Sequence, residues 1–479
     1  MSRPLYERVA EALAQQIEQG VYAPGDRLPG LRRLRQHFGV SMATIVAACE
    51  LLEQREILEA RPRSGFYVRE RTSAAAAAPS EQVSEVDAPS LVLGQERVLD
   101  LVRAHHEPGV VSLGAAAAPA AFLPAAAMDR SFARVRRRQR ERVHAYDFPP
   151  GCAELRAQIA RRMAYAGCSL SPDDIVLTAG CQEAITLSLR AVAEPGDVVA
   201  IESPTFYGIL QAIEAQGMQA LEVATDPQTG MIPEALERAL SRWSIRACVL
   251  MPTFGNPLGH VTPEARKQEL VALLNAHDVP LIEDDVYGEL AFDGSRPWAA
   301  KAFDGQGEVL YCSSFSKVLG AGLRVGWVAP GRYRDRLVYL KYATSQAAST
   351  LSALAVADYL EQGGYDRFLR RARREYERHV RWVAALVRRH FPEGTRVTRP
   401  RGGFVVWVEL PAGCDSLELQ RRALVEGISV APGPVFSPSG RYGRCLRLNC
   451  AQADPTATQW ALQRLGALAA GEDRGDVRG

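Results

Sequence analysis

The chain has 479 residues, 57 Lys+Arg against 55 Asp+Glu, and 47% hydrophobic and 23% charged residues. At ~150 residues per domain this length predicts about three folding units, and the apolar content excludes a disordered or fibrous chain. A net charge of +2 singles out no partner, so nucleic-acid binding has to show as a local patch. Nine cysteines without a C-x-x-C pair fit reduced thiols rather than a disulfide framework or a zinc site, and no metal is expected. The start, MSRPLYERVA, has no apolar signal core, and no uncharged apolar run approaches ~18 residues. A cytoplasmic protein without a membrane partner is expected.

Residues 4–69 read as one compact unit. Leu5, Val9, Ala12, Leu13 and Ile17 share a helix face that stops at Gly20. A short helix over about Leu31–Phe38 ends at Gly39, and Ser41 is placed to cap a second helix, Met42 to about Gln54, with Ile45, Cys49, Leu51 and Leu52 on its buried face. Two helices around a tight glycine turn form a helix-turn-helix. Strand patterns at Ile57–Arg61 and Gly65–Val68 around a Pro-Arg-Ser-Gly tip add a wing. Residues 71–92, rich in Ala, Ser and Pro, read as a linker.

From residue 93 to 479, apolar runs such as Ile175–Thr178, Val198–Glu202, Ala247–Met251, Val279–Glu283 and Val309–Ser313 alternate with amphipathic helices. That pattern predicts a doubly wound, mainly parallel α/β sheet. After about residue 365 a basic helix (Arg367–Arg389) and strand-turn patterns predict a smaller α+β lobe reaching to about 470.

Sites in open α/β sheets lie beyond the carboxyl ends of the strands. There the chain offers a small-residue turn opening a helix (Gly180, Cys181, Gln182), suited to phosphate, although ordinary strand-to-helix turns look alike. Aromatic Phe206, the amide of Asn256 and the acids Glu283, Asp284 and Asp285 with Tyr287 follow. Three acids at a strand end need a cation opposite, either a salt bridge or a ligand's ring nitrogen. Last come Ser314, Lys317 and Arg324. Only four lysines exist: Lys267 is assigned to a polar helix face, Lys301 to a loop and Lys341 to a helix, so Lys317 alone has a catalytic setting. The glycines after it fail the G-x-G-x-x-G pattern at Val325. Together these strand ends match what pyridoxal 5'-phosphate (PLP) needs: a Schiff-base lysine, a carboxylate for the pyridine nitrogen, and Gly, Ser and Arg for the phosphate.

The motifs T-A-G-C-Q-E-A, E-S-P-T-F-Y-G, N-P-L-G, E-D-D-V-Y-G-E-L, S-F-S-K-V-L-G-A-G-L-R-V-G-W and C-L-R-L-N resemble those of fold-type I aminotransferases, in the family's order. P-G-D-R-L-P, G-V-S-M-A-T-I, L-L-E and R-S-G-F-Y-V resemble the GntR winged helix-turn-helix. Fused in this order, the two resemble the MocR subgroup of GntR-type transcriptional regulators. The resemblance implies a winged helix-turn-helix over residues 1–70, mainly α with a small β wing. A fold-type I PLP-dependent aminotransferase-like domain with a smaller α+β lobe would then span 93–479. It implies Lys317 as the internal-aldimine lysine, Asp284 at the pyridine nitrogen, Asn256 and Tyr287 at the phenolic oxygen, and Phe206 on the ring face. Gly180, Cys181, Gln182, Ser314 and Arg324 would surround the phosphate, and Tyr146 would reach the phosphate of the partner subunit in a homodimer. Arg447 would bind a substrate α-carboxylate. Double-stranded operator DNA would meet Arg32, Arg33, Arg35, Arg61, Arg63 and Gly65 at its backbone, with Ser41, Met42 and Thr44 facing the groove. Here the chain departs from the family, with Gly30 and Met42 where a polar residue and an arginine are usual. Ten Arg face nine Asp+Glu in residues 1–70, so the unit is barely cationic. The expected function is regulation by a small amino compound, or by PLP, through aldimine chemistry at Lys317. The alternative is an active aminotransferase of the 2-aminoadipate or aromatic amino acid type with an appended DNA-binding domain.

Overall fold

The computed structural model describes residues 4–18, 21, 22, 25–55, 57–61, 64–68, 88–95 and 97–472. In the N-terminal unit, helices α1 (Leu5–Glu18), α2 (Leu31–Phe38) and α3 (Met42–Gln54) precede a hairpin of β1 (Leu58–Arg61) and β2 (Gly65–Val68). Ser41 caps α3, its Oγ accepting from Thr44 N at 3.1 Å. Gly39 ends α2 in the left-handed region at φ 63°. Ile45, Cys49 and Leu52 are buried with Leu13, Leu34 and Leu58, whereas Leu51 is only partly buried at the margin of that core.

The linker expected at 71–92 lies outside the described residues up to 87. Its last part is sheet: β3 (Ser90–Leu91) pairs antiparallel with Gln219–Ala220, whose edge it covers. The large body is built on a nine-stranded mixed sheet. Its main path uses β3, β4 (Val176–Thr178), β5 (Val198–Ser203), β6 (Gln219–Asp226), β7 (Ile245–Leu250), β8 (Leu281–Asp284), β9 (Val309–Ser314) and β10 (Gly326–Ala329) in the order β3-β6-β5-β7-β8-β9-β10-β4. Pairings from β6 through β9 are parallel, and β10 runs antiparallel to both β9 and β4. The strands are apolar throughout because both faces are covered. Val199, Ile201, Ala247, Val249 and Ile282 enter one core, and Ala200, Cys248, Leu250 and Leu281 the other.

The smaller lobe has the sheet order β11-β12-β14-β13, from β11 (Arg396–Val397), β12 (Val405–Glu409), β13 (Ala431–Pro432) and β14 (Cys445–Asn449). The helix Tyr365–His390 links the two bodies, burying Tyr365, Phe368, Leu369, Ala372 and Tyr376 in the large core and Val380, Val383 and Val387 in the small one. The lobe also takes in a segment remote in sequence, because Val111–Ser112 pairs parallel with Ile428–Ser429. Leu113 enters its core, and Val98 and Leu101 pack with Trp407 and Phe436. A lobe starting at residue 365 is therefore too small.

Near its edge the large sheet closes on two glycines. A Cβ on Gly326 would stand 2.5 Å from the backbone carbon of Gly180, so β10 approaches the 180 turn backbone to backbone. Gly326→Ala is expected to cost about 1–3 kcal/mol through overpacking, read as a lower thermal midpoint. An unchanged midpoint would show that the turn moves freely.

Candidate PLP and DNA-binding sites

The carboxyl ends of β4, β5, β7, β8 and β9 point to the same edge of the sheet, with the antiparallel β10 between β9 and β4, and there the predicted side chains converge. Lys317, three residues past β9, donates from Nζ to Ala116 O at 2.7 Å, and its amine lies 5.8 Å from the Tyr287 ring centre. Burial, with Arg447 nearby, pulls the amine down to about 8, against the opposing pull of Asp284 and Cys181. Asp284 ends β8 and is buried, and burial raises its carboxyl to about 7.

The three consecutive acids separate by partner. Glu283 accepts from Ala300 N and Lys301 N at 2.8 and 2.9 Å. Asp285 pairs with Arg296 and accepts from Tyr311 Oη at 2.9 Å. Among the described residues the one side-chain hydrogen-bond partner of Asp284 is a thiol, Cys181 Sγ at 3.4 Å. Of the two alternatives read from sequence, the structural salt bridge is present at Asp285, whereas Asp284 has no cationic hydrogen-bond partner among the described residues.

Of the other three lysines, Lys341 lies in a helix as expected, Arg334–Ser345, whereas Lys267 corrects the sequence reading. Lys267, assigned to a polar face, is buried and donates to Thr253 Oγ1 at 2.9 Å and Trp298 O at 2.6 Å. Lys301 bonds Asp304 and Val309 O, and Lys341 bonds Glu183 and Ser345. Each amine fills an interior polar niche that an apolar-periodicity reading overlooks.

Gly180 precedes the helix Cys181–Val192 at φ 101°, and a Cβ there would lie 2.6 Å from the Arg324 guanidinium. Arg324 donates to Ala179 O and Ala321 O, and Gln182 Nε2 donates to Gly208 O at 2.6 Å. Ser314 is buried and accepts from Ser316 N at 3.3 Å. Phe206, partly buried, lies 4.6 Å from the Tyr207 ring. Tyr287 is buried with its Oη unpartnered among the described residues, and burial raises its hydroxyl well above the usual phenol range.

Arg447 on β14 is fully buried. It donates to Asn256 Oδ1 at 3.3 Å and to Gly114 O, and its Nε has no partner among the described residues. The rings of Tyr207 and Phe436 flank it at 5.7 and 5.3 Å. Tyr146 does not join the cluster: it is 68% exposed and stacks on Phe148 at 5.4 Å. Sequence reading missed Tyr207 and Phe436, along with the carbonyls of Ala116 and Gly114. A backbone acceptor leaves no side-chain signal.

In the winged unit Arg32, Arg33 and Arg35 are exposed on α2. The Ser41 and Thr44 hydroxyls bond each other at 2.8 Å, and Met42 is half-buried. Arg61 packs 4.3 Å over the Tyr67 ring and pairs with Glu59 at 3.2 Å. Gly65 opens β2 at φ 111°. Arg63 lies outside the described residues.

Residues 108–465 match the aminotransferase class I and II family, and residues 5–68 match the bacterial regulatory proteins of the gntR family. An Escherichia coli K12 protein named uncharacterized HTH-type transcriptional regulator YjiR is 40% identical over 96% of this chain and 98% of its own. This chain is a MocR-type GntR regulator. Its larger part belongs to the PLP-dependent class I and II aminotransferases. The 2-aminoadipate transaminase of Thermus thermophilus is 33% identical over 77% of this chain and 92% of its own. The solved structure of LysN, the α-aminoadipate aminotransferase of that organism, complexed with N-(5'-phosphopyridoxyl)-L-leucine, superposes with a TM-score of 0.72. It is 30% identical over 79% of this regulator and 95% of that chain.

The site of the regulator fits PLP on its own geometry. A lysine amine with one carbonyl partner, a buried carboxyl lacking a cationic hydrogen-bond partner, an orphaned phenol and a turn where a Cβ is excluded converge at one strand edge. Among the described residues, no helix is long and apolar enough to cross a membrane. Because a lowered pKa leaves more free amine at a given pH, Lys317 of the cofactor-free regulator is expected to react with an acylating reagent half-maximally near pH 8. Mass-spectrometric labelling across pH checks this, and a midpoint near that of an ordinary lysine, ~10.4, would contradict it.

Proposed function

We propose that the protein is a cytoplasmic homodimer in which the aminotransferase-like domain senses an amino compound, or PLP itself, and alters how the winged helices hold double-stranded operator DNA. The observation that carries this reading is Lys317. It alone of the four lysines is without a side-chain hydrogen-bond partner among the described residues, and it stands beside a carboxyl lacking a cationic one. When bound, PLP supplies an aldehyde carbon that condenses with amines and a protonated ring that withdraws electrons. Asp284 holds the proton on the ring nitrogen, and a cation there offsets the burial that raises its carboxyl. Gly180, Cys181, Gln182, Ser314 and Arg324 would hold the phosphate, Phe206 would face the ring, and Asn256 and Tyr287 would hold the phenolic oxygen. Tyr146, exposed on each protomer, reaches the phosphate bound by the other.

Arg447 receives the carboxylate of the amino compound in a water-excluding aromatic setting. Since β14 belongs to the small lobe and Asn256 to the large, an anion bound there contacts both lobes. With the cofactor bound, Lys317 would be the amine that links to it and, when free, the group that moves a proton beside it. An anion held across the lobes would shift the balance between lobe positions, the two-state element that couples the sites. Arg32, Arg33, Arg35, Arg61, Arg63 and Gly65 contact DNA phosphates, and Ser41, Met42 and Thr44 face the groove.

The same Lys317, Asp284 and Arg447 set favours a second reading, an aminotransferase of the 2-aminoadipate or aromatic type. The particular observation is the unpartnered Nε of the buried Arg447. Sustained turnover with 2-oxoglutarate and no DNA binding would favour it.

The test is the absorbance of the purified full chain beside Lys317→Ala while amines are titrated. A band near ~420 nm, expected of a protonated Schiff base, appears only with Lys317 and changes with the effector. Absence of the band in PLP-supplemented wild type overturns the proposal. Arg447→Lys is expected to weaken an amino acid effector about 10–100-fold, since a two-pronged charged contact is worth about 1.5–3 kcal/mol. The same variant leaves the response to an amine without a carboxylate unchanged, and equal losses for both would refute the carboxylate role.

A further inference from the structure

The helix Tyr365–His390 carries an arginine stripe that neither site uses. Arg367, Arg370, Arg371 and Arg374 are all exposed, at the i, i+3, i+4, i+7 spacing of a single helix face. The opposite face, with Tyr365, Phe368, Leu369 and Ala372, is buried. These four guanidinium groups make no ion pair or hydrogen bond among the described residues. The helix's acids are engaged elsewhere: Asp366 with Arg162 at 3.2 Å, Glu375 with Arg378 and Glu377 with Arg381 at 2.6 Å each. Exposed Arg130, on the helix Ala125–Arg138, acts electrostatically on Tyr359, as Arg371 does.

Four like charges within about 11 Å of helix repel one another. No acid pairs with them among the described residues, and the chain as a whole is balanced at 57 basic to 55 acidic residues. Such a surface fits a polyanion. The chain carries a GntR-type DNA-binding domain, and residues 1–70 have only one more Arg than Asp+Glu, so beyond its local arginines that domain adds little net charge to draw in DNA.

We propose that this stripe is a second DNA contact, by which the aminotransferase-like domain holds phosphates of the duplex flanking the operator without reading sequence. It acts by counterion release and adds a salt-dependent share to the affinity.

The test uses the full-length chain with a random-sequence duplex of about 60 base pairs, titrated from about 50 to about 200 mM salt. At ~0.9 in the log–log salt slope per phosphate, replacing the four arginines with glutamine lowers the slope by about 3–4 for each protomer whose stripe meets the duplex. Wild type then loses about a hundredfold more affinity across that range than the variant does. Arg367→Lys, Arg370→Lys, Arg371→Lys and Arg374→Lys together keep the slope, which separates charge from folding. Arg32→Gln with Arg33→Gln lowers the slope by its own, additive amount. An unchanged slope in the glutamine variant overturns the proposal and leaves the stripe to an acidic protein or a second copy. Loss in both the glutamine and lysine variants overturns it too, because a positioned guanidinium rather than counterion release would then be required. Neither result bears on DNA binding through the winged helix, which the Arg32 and Arg33 variant reads separately.

Discussion

A part-buried Lys317 beside the buried Asp284, at the carboxyl edge of the sheet, is the constraint around which the large body is arranged. An amine partly withdrawn from water and a carboxyl sealed from it are each pushed toward their neutral forms, down to about 8 and up to about 7. Neither is satisfied by a charged hydrogen-bond partner within the described chain. A folded protein tolerates such a pair when another group completes it. The neighbouring acids show the contrast: Glu283 is answered by two backbone N–H groups and Asp285 by Arg296 and Tyr311. Of the three, Asp284 is the one whose side-chain partner among the described residues is a thiol, Cys181 Sγ, in keeping with the PLP dependence of the family.

The second arrangement is the division of the site between lobes. Lys317, Asp284 and Asn256 belong to the large body, whereas Arg447 stands on the small-lobe strand β14 and still reaches Asn256. The helix Tyr365–His390 has one half in each core. On the proposed reading, chemistry at the Lys317 amine and anion binding at Arg447 bias the same lobe equilibrium. The helix that crosses between the lobes also carries the arginine stripe.

Much of this was legible in the sequence because strand ends concentrate chemistry. Ser41 as a cap, the wing strands and the parallel run from β5 to β9 follow from local spacing and apolar periodicity. Lys317 stood out by setting and by the scarcity of lysine. What stayed hidden depends on contacts between distant segments. The Val111–Ser112 pairing with Ile428–Ser429 has no local signature, and neither do the carbonyls of Ala116 and Gly114. Lys267 looked solvated because its helix pattern does not reveal that Thr253 and Trp298 close over it. Tyr146 was assigned to a partner's phosphate, and a single protomer shows only that its ring is exposed.

The central claim is that the amine site and the DNA-binding domain are thermodynamically coupled through Lys317. Its most direct test is reciprocity, measured by titrating DNA with and without a saturating amine, and the amine with and without saturating DNA. Linkage requires both affinities to change by one and the same factor. The account predicts a factor of about 5–150, typical of allosteric coupling, in wild type and of about 1 in Lys317→Ala. Equal DNA affinity with and without an amine that demonstrably binds would contradict it.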